Sequence, residues 1–214
     1  MSTNNKSLSA PIPDYWDEAK AFLAKKDKVL AGIMAQYEGE ALASRGSAFF
    51  SLARAIVGQQ ISVKAAESVW KKLETGLGGA VTPELVLKRD DETLRSFGLS
   101  RSKVLYLKEL SQFFLNNPGN DWHAKNDEEV IETLVSIKGI GKWSAEMFLI
   151  FHLMRPDVFP LADIGLQKAV ELHYGKGKKL TLADIRKRSE KWRPYRTVAT
   201  WYLWRSLDPV AVEY

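Results

Sequence analysis

Leu134-Val135-Ser136-Ile137-Lys138-Gly139-Ile140-Gly141-Lys142-Trp143-Ser144-Ala145 is the stretch that decides how this chain folds. An apolar helical run ends near Ser136, two glycines punctuate a tight turn, and a second apolar helix starts around Lys142. Gly139 and Gly141 permit positive φ angles and let the backbone approach another molecule closely. The amides that open the next helix point outward at the positive end of its dipole. Such a turn can hold a phosphate whatever the base sequence. A G-x-G turn equally serves a plain helix–turn–helix connection, and Lys142 beside it suits either a phosphate contact or solvated surface.

Further along, Arg155-Pro156-Asp157-Val158-Phe159-Pro160-Leu161-Ala162-Asp163-Ile164-Gly165-Leu166 forms a proline-bordered loop leading into another apolar-periodic helix through Leu166 and Val170. Asp163 stands where an N-cap belongs, a role that contributes about 1 kcal/mol. Following the glycine hairpin, it reads also as a functional carboxylate. Working back from the hairpin, Phe49, Leu52, Ala53, Ile56 and Val57 recur at helical spacing, as do Val63, Ala66, Val69, Trp70 and Leu73. Val104, Leu107, Leu110 and Phe114 form a third stripe behind a Ser100 cap. Thr82-Pro83 and Asn126-Asp127-Glu128-Glu129 are helix starts, and Gly98 is a stop. No segment alternates with period two between hairpin turns, so the expected class is all-α.

Two helical lobes are expected, with the active-site cleft between them. One spans 47–158 and carries the helix–hairpin–helix at about 134–154. The other combines 11–46 with 159–214, and residues 1–10 are expected to be disordered. The crossings are Gly39–Ser47 and Pro156–Pro160. Of the 214 residues, 45% are hydrophobic and 27% charged, a balance that buries a sizeable core. The net charge of +5 fits a polyanionic partner without identifying one. The chain has no cysteine, which excludes disulfides, thiolate catalysis, Cys-ligated zinc and iron–sulfur clusters. Its three histidines, His123, His152 and His173, fall in no metal-ligand pattern. No apolar run spans a bilayer and Met1–Ala10 lacks a signal-peptide core, so a cytoplasmic location is expected.

Hairpin, Pro/Gly loop and aspartate together resemble the helix–hairpin–helix DNA glycosylase superfamily. Phe50–Trp70, with Ala55-Ile56-Val57-Gly58-Gln59-Gln60-Ile61-Ser62, resembles the early helices of its alkylpurine branch, the 3-methyladenine DNA glycosylase II type. Trp192-Arg193-Pro194-Tyr195-Arg196 through Tyr202-Leu203-Trp204-Arg205 resembles that branch's last helix. The likeness covers Ala48–Leu207. It implies double-stranded DNA containing alkylated purines as the partner and hydrolysis of the N-glycosidic bond during base excision repair; a monomer is the default expectation. Members resembling endonuclease III carry a Schiff-base lysine two residues after the second hairpin glycine. Trp143 holds that slot here and Lys142 lies one position early, so no imine and no coupled strand cleavage are expected. Oxidised-guanine relatives usually keep that lysine. Bacterial relatives carry an extra N-terminal β-rich domain; with so few residues ahead of Ala48 here, that domain is expected to be absent or reduced to helices.

The resemblance makes Asp163 the catalytic carboxylate, which stabilises developing oxocarbenium charge and orients or deprotonates water. An alkylated purine is cationic and leaves without a dedicated general acid. Trp143 and Trp204 match pocket aromatics against which a flipped base would stack, or they are core tryptophans. Trp192, Tyr195 and Trp201 read as packing. Gln60 stands at the wedge position, where many relatives have leucine, or is a surface residue. With Gly139, Gly141 and Lys142 it makes up the expected DNA contact set. The main-chain carbonyls of Val135, Ile137 and Ile140 match those that hold a Na or K ion in relatives; no other cofactor is expected. Lys138 replaces the usual hairpin proline. The basic Gly175–Lys179 run reads as a solvated loop rather than a nucleotide P-loop. The rival reading is a non-catalytic, structure-specific DNA-binding helix–hairpin–helix protein. A carboxylate near bound phosphates would cost such a protein affinity.

Overall fold

A computed structural model describes residues 12–44 and 46–207. The expected disordered segment 1–10 lies outside the described residues, as do Pro11, Arg45 and residues 208–214. The described residues form helices and connecting loops with no strand, as the missing period-two pattern implied. Short helices α1 (Trp16–Lys26) and α2 (Lys28–Gln36) come first. The stripes then fold as α3 (Ala48–Gly58), α4 (Val63–Gly76) and α7 (Arg101–Asn116), with α5 (Pro83–Leu87) and α6 (Asp91–Ser96) between them. Helices α8 (Asp127–Val135) and α9 (Lys142–Phe151) flank the glycine turn, and α10 (Ile164–Tyr174), α11 (Leu182–Ser189), a 3-10 turn (Glu190–Trp192) and α12 (Arg196–Arg205) follow.

The start signals act as read. Ser100 accepts from the Lys103 amide, and Thr82 from the Leu85 amide ahead of Pro83. Asn126 and Glu129 bond each other's backbone amides in a capping box.

Packing gathers the helices into two groups. In one, α3 packs on α4, α7 and α9, α7 also holds α5 and α6, and α8 lies on α9. Helix α9 is buried on every side from Ser144 to Phe151, which fits its almost continuous apolar sequence. In the other group, α12 packs on α1, α2 and α10, and α10 on α11.

Asp27 organises this second group. It caps α2 through the Val29 and Leu30 amides and accepts from Tyr174 Oη and Trp192 Nε1, each at 3.0 Å. It is buried, and four donors replace the water it has lost. The Arg205 guanidinium grips Glu40 through Nε and Nη2, tying α12 to the loop after α2.

Candidate active site

The loop from Arg155 to Asp163 is pinned along its length. The Arg155 guanidinium donates to the Trp122, His123 and Lys125 carbonyls. Thr197 Oγ1 donates to Arg155 O and accepts from the Val158 amide. Asp157 takes Arg196 Nε at 2.6 Å and Nη2 at 2.9 Å, a bidentate pair, with Arg193 at 3.2 Å. The Asp163 amide donates to Pro160 O at 2.8 Å and Gln167 Nε2 to Leu161 O at 2.9 Å. Asp163 is thereby delivered to its place by backbone that has little freedom to move.

Asp163 is the N-cap of α10, its Oδ1 accepting from the Leu166 amide at 2.6 Å. The same Oδ1 accepts from Trp204 Nε1 and Oδ2 from Trp143 Nε1, each at 2.9 Å. The two readings of this aspartate are therefore compatible, because capping uses one face of the carboxylate. Trp143 opens α9 and Trp204 lies in α12, so the carboxylate is held jointly by both packing groups. A carboxylate offers about four acceptor sites, so three donors leave about one, on Oδ2, for a water or a sugar.

Of seven tryptophans, Trp16, Trp70, Trp122, Trp192 and Trp201 are core residues, whereas Trp143 and Trp204 are half-buried. Trp204 stacks on Phe151 with ring centres 6.0 Å apart and planes at 11°. The sequence pointed to their aromatic faces, while the structure adds their N–H groups. Tyr195 stacks on Tyr15 and Trp201 meets Trp16 edge-on, which is packing as expected.

Gly165 was not singled out in the sequence. A Cβ there would lie 3.1 Å from Asp163 Oδ1 and 3.6 Å from Trp204 Cδ1, so glycine leaves room for their hydrogen bond. Only the Asp-x-Gly spacing hints at it.

The hairpin takes the expected form. The Ile140 amide donates to Ile137 O at 3.0 Å, while the Ile137 and Ile140 side chains plug into the core and fix the turn. Gly139 has φ +95°, and any Cβ there would overlap the Tyr106 ring of α7. Gly141 is the N-cap of α9 and brings no side-chain cap, which leaves the first-turn amides without that internal acceptor. Lys138, Gly141 and Lys142 are exposed around it.

Gln59 Nε2 donates to Gly139 O at 3.0 Å and brings the α3–α4 loop beside the hairpin. Lys103 Nζ caps that loop from behind by donating to Val57 O at 2.7 Å. Gln60 stands at φ +60°, a left-handed conformation unusual for a side-chain-bearing residue, with exposed Ile61 next to it. Neither Gln59 nor Tyr106 was identified from the sequence. Their contacts span distant segments and leave no local pattern.

A cavity of about 500 Å³ abuts Trp143. Phe159, Leu161, Ala162 and Leu182 give it apolar wall, while Lys142, Glu146, Arg186, Glu190, Arg193 and Arg196 carry its charge. Glu146 is only 9% exposed. Burial pushes its carboxyl above the usual range; the Lys142 charge pulls it back and the Asp163 charge adds a further push upward. The basic Lys176–Lys179 loop is exposed to solvent.

The model of the HhH-GPD superfamily of base excision DNA repair proteins matches residues 53–194. The chain belongs to that superfamily. DNA-3-methyladenine glycosylase 1 of Schizosaccharomyces pombe is 32% identical over 184 residues, covering 84% of this chain and 81% of that protein. A crystal structure of DNA-3-methyladenine glycosidase from Bacillus halodurans aligns with TM-score 0.75 at 35% identity, covering 88% of each chain. A structure of the Schizosaccharomyces pombe 3-methyladenine DNA glycosylase in complex with abasic DNA aligns with TM-score 0.78 at 31% identity, covering 88% of this chain and 96% of that one.

Proposed function

We infer that this protein is a monofunctional DNA glycosylase that hydrolyses the N-glycosidic bond of alkylated purines in duplex DNA during base excision repair. The observation that carries this reading is the Asp163 carboxylate, fixed between Trp143, Trp204 and the Leu166 amide. A rigid anion whose orientation is settled before substrate arrives loses nothing to reorganisation as positive charge builds on the sugar. Its remaining acceptor site can orient the attacking water. The relatives named as 3-methyladenine glycosylases supply the substrate class.

The absence of strand cleavage is supported by what stands against Asp163. An indole N–H, rather than an amine, meets Oδ2, and Lys142 lies on the exposed start of α9. A glycosylase of this kind extrudes its target base from the stack. In this reading the uncapped α9 amides at Gly141 and Lys142 hold backbone phosphate, Gly139 permits the close approach, and Gln60 fills the gap left by the base. The Gln59–Gly139 bond keeps wedge and hairpin in register. The faces of Trp143 and Trp204 supply stacking for the base. Carbonyls of Val135, Ile137 and Ile140 belong to a turn anchored by two buried isoleucines, and each retains a lone pair that a Na or K ion can use. Among the described residues no helix is long and apolar enough to cross a membrane. We place the protein on chromosomal DNA in the cytoplasm as a monomer.

The test is incubation with methylated duplex DNA, followed by analysis of free bases and of strand breaks before any alkali. Free 3-methyladenine or 7-methylguanine with intact strands is expected. Strand breaks without alkali would overturn the monofunctional assignment, and DNA binding without base release would favour a non-catalytic module.

A further inference from the structure

The cavity beside Trp143 holds a carboxylate that the chemistry described so far does not use. Glu146 lies one helical turn after Lys142 on α9, on the segment that also carries Trp143, and both Trp143 and Glu146 line the cavity. Neither an ion pair nor a hydrogen bond to the Glu146 carboxylate is found among the described residues, although the residue is nine-tenths buried. A carboxylate this little exposed, with oxygens that reach solvent only narrowly, is placed to take a partner from a ligand in the cavity.

The cationic residues around the cavity do not fill this role. Arg193 and Arg196 are committed to Asp157 and Glu190. Lys142 acts on the Glu146 carboxyl through space without forming an ion pair, and both it and Arg186 are exposed, where water and salt weaken their charge. What remains is a cavity with mixed apolar and charged walls, the Trp143 ring on one side and the Glu146 carboxylate without an ion-pair partner. Its volume falls in the roughly 300–1,000 Å³ range of small-ligand pockets.

We propose that Glu146 is a specificity-determining residue, and that the flipped purine enters this cavity with its positive charge against the Glu146 carboxylate and its face on Trp143. The assignment rests on the glycosylase reading and deepens it. Alkylation at a ring nitrogen is what makes the purine cationic, so a desolvated carboxylate distinguishes damaged from undamaged bases by charge. Burial, which makes ionised Glu146 costly in the empty cavity, increases what it gains from a cationic occupant. Asp163 beside it acts on the sugar while Glu146 acts on the base, and Trp143 is shared between the two through its N–H and its ring.

The test compares single-turnover release of 7-methylguanine by the wild type, Glu146→Gln and Glu146→Asp. Affinity for a duplex bearing an abasic analogue is measured alongside, because that DNA presents no base to the cavity. Glu146→Gln keeps the shape and removes the charge. Its release rate is expected to fall about tenfold or more, with abasic-duplex affinity unchanged, and Glu146→Asp is expected to lose less. The assignment is overturned by a Glu146→Gln rate close to wild type, by a parallel loss of abasic-duplex affinity, or by equal losses in the two variants. Failure of the glycosylase reading itself is seen separately, as a wild type that releases no base.

Discussion

Gly139→Ala tests whether the hairpin is held by one glycine in the way the structure shows. Two penalties apply to the added methyl. At φ +95° an L-residue is strained, which costs about 1–3 kcal/mol. The Cβ also overlaps the Tyr106 ring, and it lies 2.6 Å from Tyr106 Cβ, the hinge about which that ring turns. The ring cannot swing clear, so overpacking adds about 1–3 kcal/mol. The total, roughly 2–6 kcal/mol, is a large part of the 5–15 kcal/mol typical of a domain. Urea denaturation of the wild type, Gly139→Ala, Tyr106→Ala and the double variant separates the two parts. Tyr106→Ala removes the overlap with the ring atoms but keeps its own Cβ 2.6 Å from the added methyl, so it relieves part of the steric penalty, giving a coupling of up to about 1–3 kcal/mol. A Gly139→Ala cost below about 1 kcal/mol, or strict additivity with Tyr106→Ala, would refute the reasoning.

Three further outcomes are expected. Gly165→Ala presses on Asp163 Oδ1 and Trp204 and should slow base release roughly tenfold while leaving stability within about 1 kcal/mol, measured by single-turnover kinetics and denaturation. Gln60→Gly relieves a left-handed side-chain-bearing residue, so stability should rise by about 0.5–1 kcal/mol while base release falls; a loss of both would assign Gln60 to the fold. Burial pushes His152 down to about 4, with the His123 charge adding to it, from an ordinary value of 6.5. A depressed imidazole is neutral when folded and takes up a proton on unfolding, so its contribution is complete above about pH 6.5 and declines as pH falls towards 4. Allowing for solvent screening, about 1–2 kcal/mol is at stake. Denaturation at several pH values should show a flatter profile for His152→Phe than for the wild type, and parallel profiles would contradict the shift.

The helices were legible because each carries its own local signals. Ser100, Thr82 and Asn126 cap where their spacing to the following apolar residues said they would. Asp163 stood out from its place after the hairpin loop, and the resemblance singled out Trp143 and Trp204 for their ring faces, yet the hydrogen bonds that join the three were not legible. Trp143 and Trp204 reach Asp163 across 20 and 41 residues of sequence, and neither spacing leaves a pattern. Glu146 was hidden for another reason. A glutamate inside an otherwise apolar helix reads as its one wet face, and only the burial of α9 on every side makes it an isolated carboxylate. Gly139 was read for its backbone freedom, whereas its contact with Tyr106 required the packing of α7 to be known.

The most direct measurement is the single-turnover rate of alkylpurine release by Asp163→Asn from duplex DNA carrying one lesion. The amide oxygen can still accept from the Leu166 amide and keep the cap of α10, while the negative charge is lost. The rate is predicted to fall by about 10²–10³-fold with affinity for an abasic duplex retained, because fixed electrostatics supplies the missing stabilisation. A rate within about threefold of wild type would contradict the assignment of Asp163 as the group that stabilises the transition state.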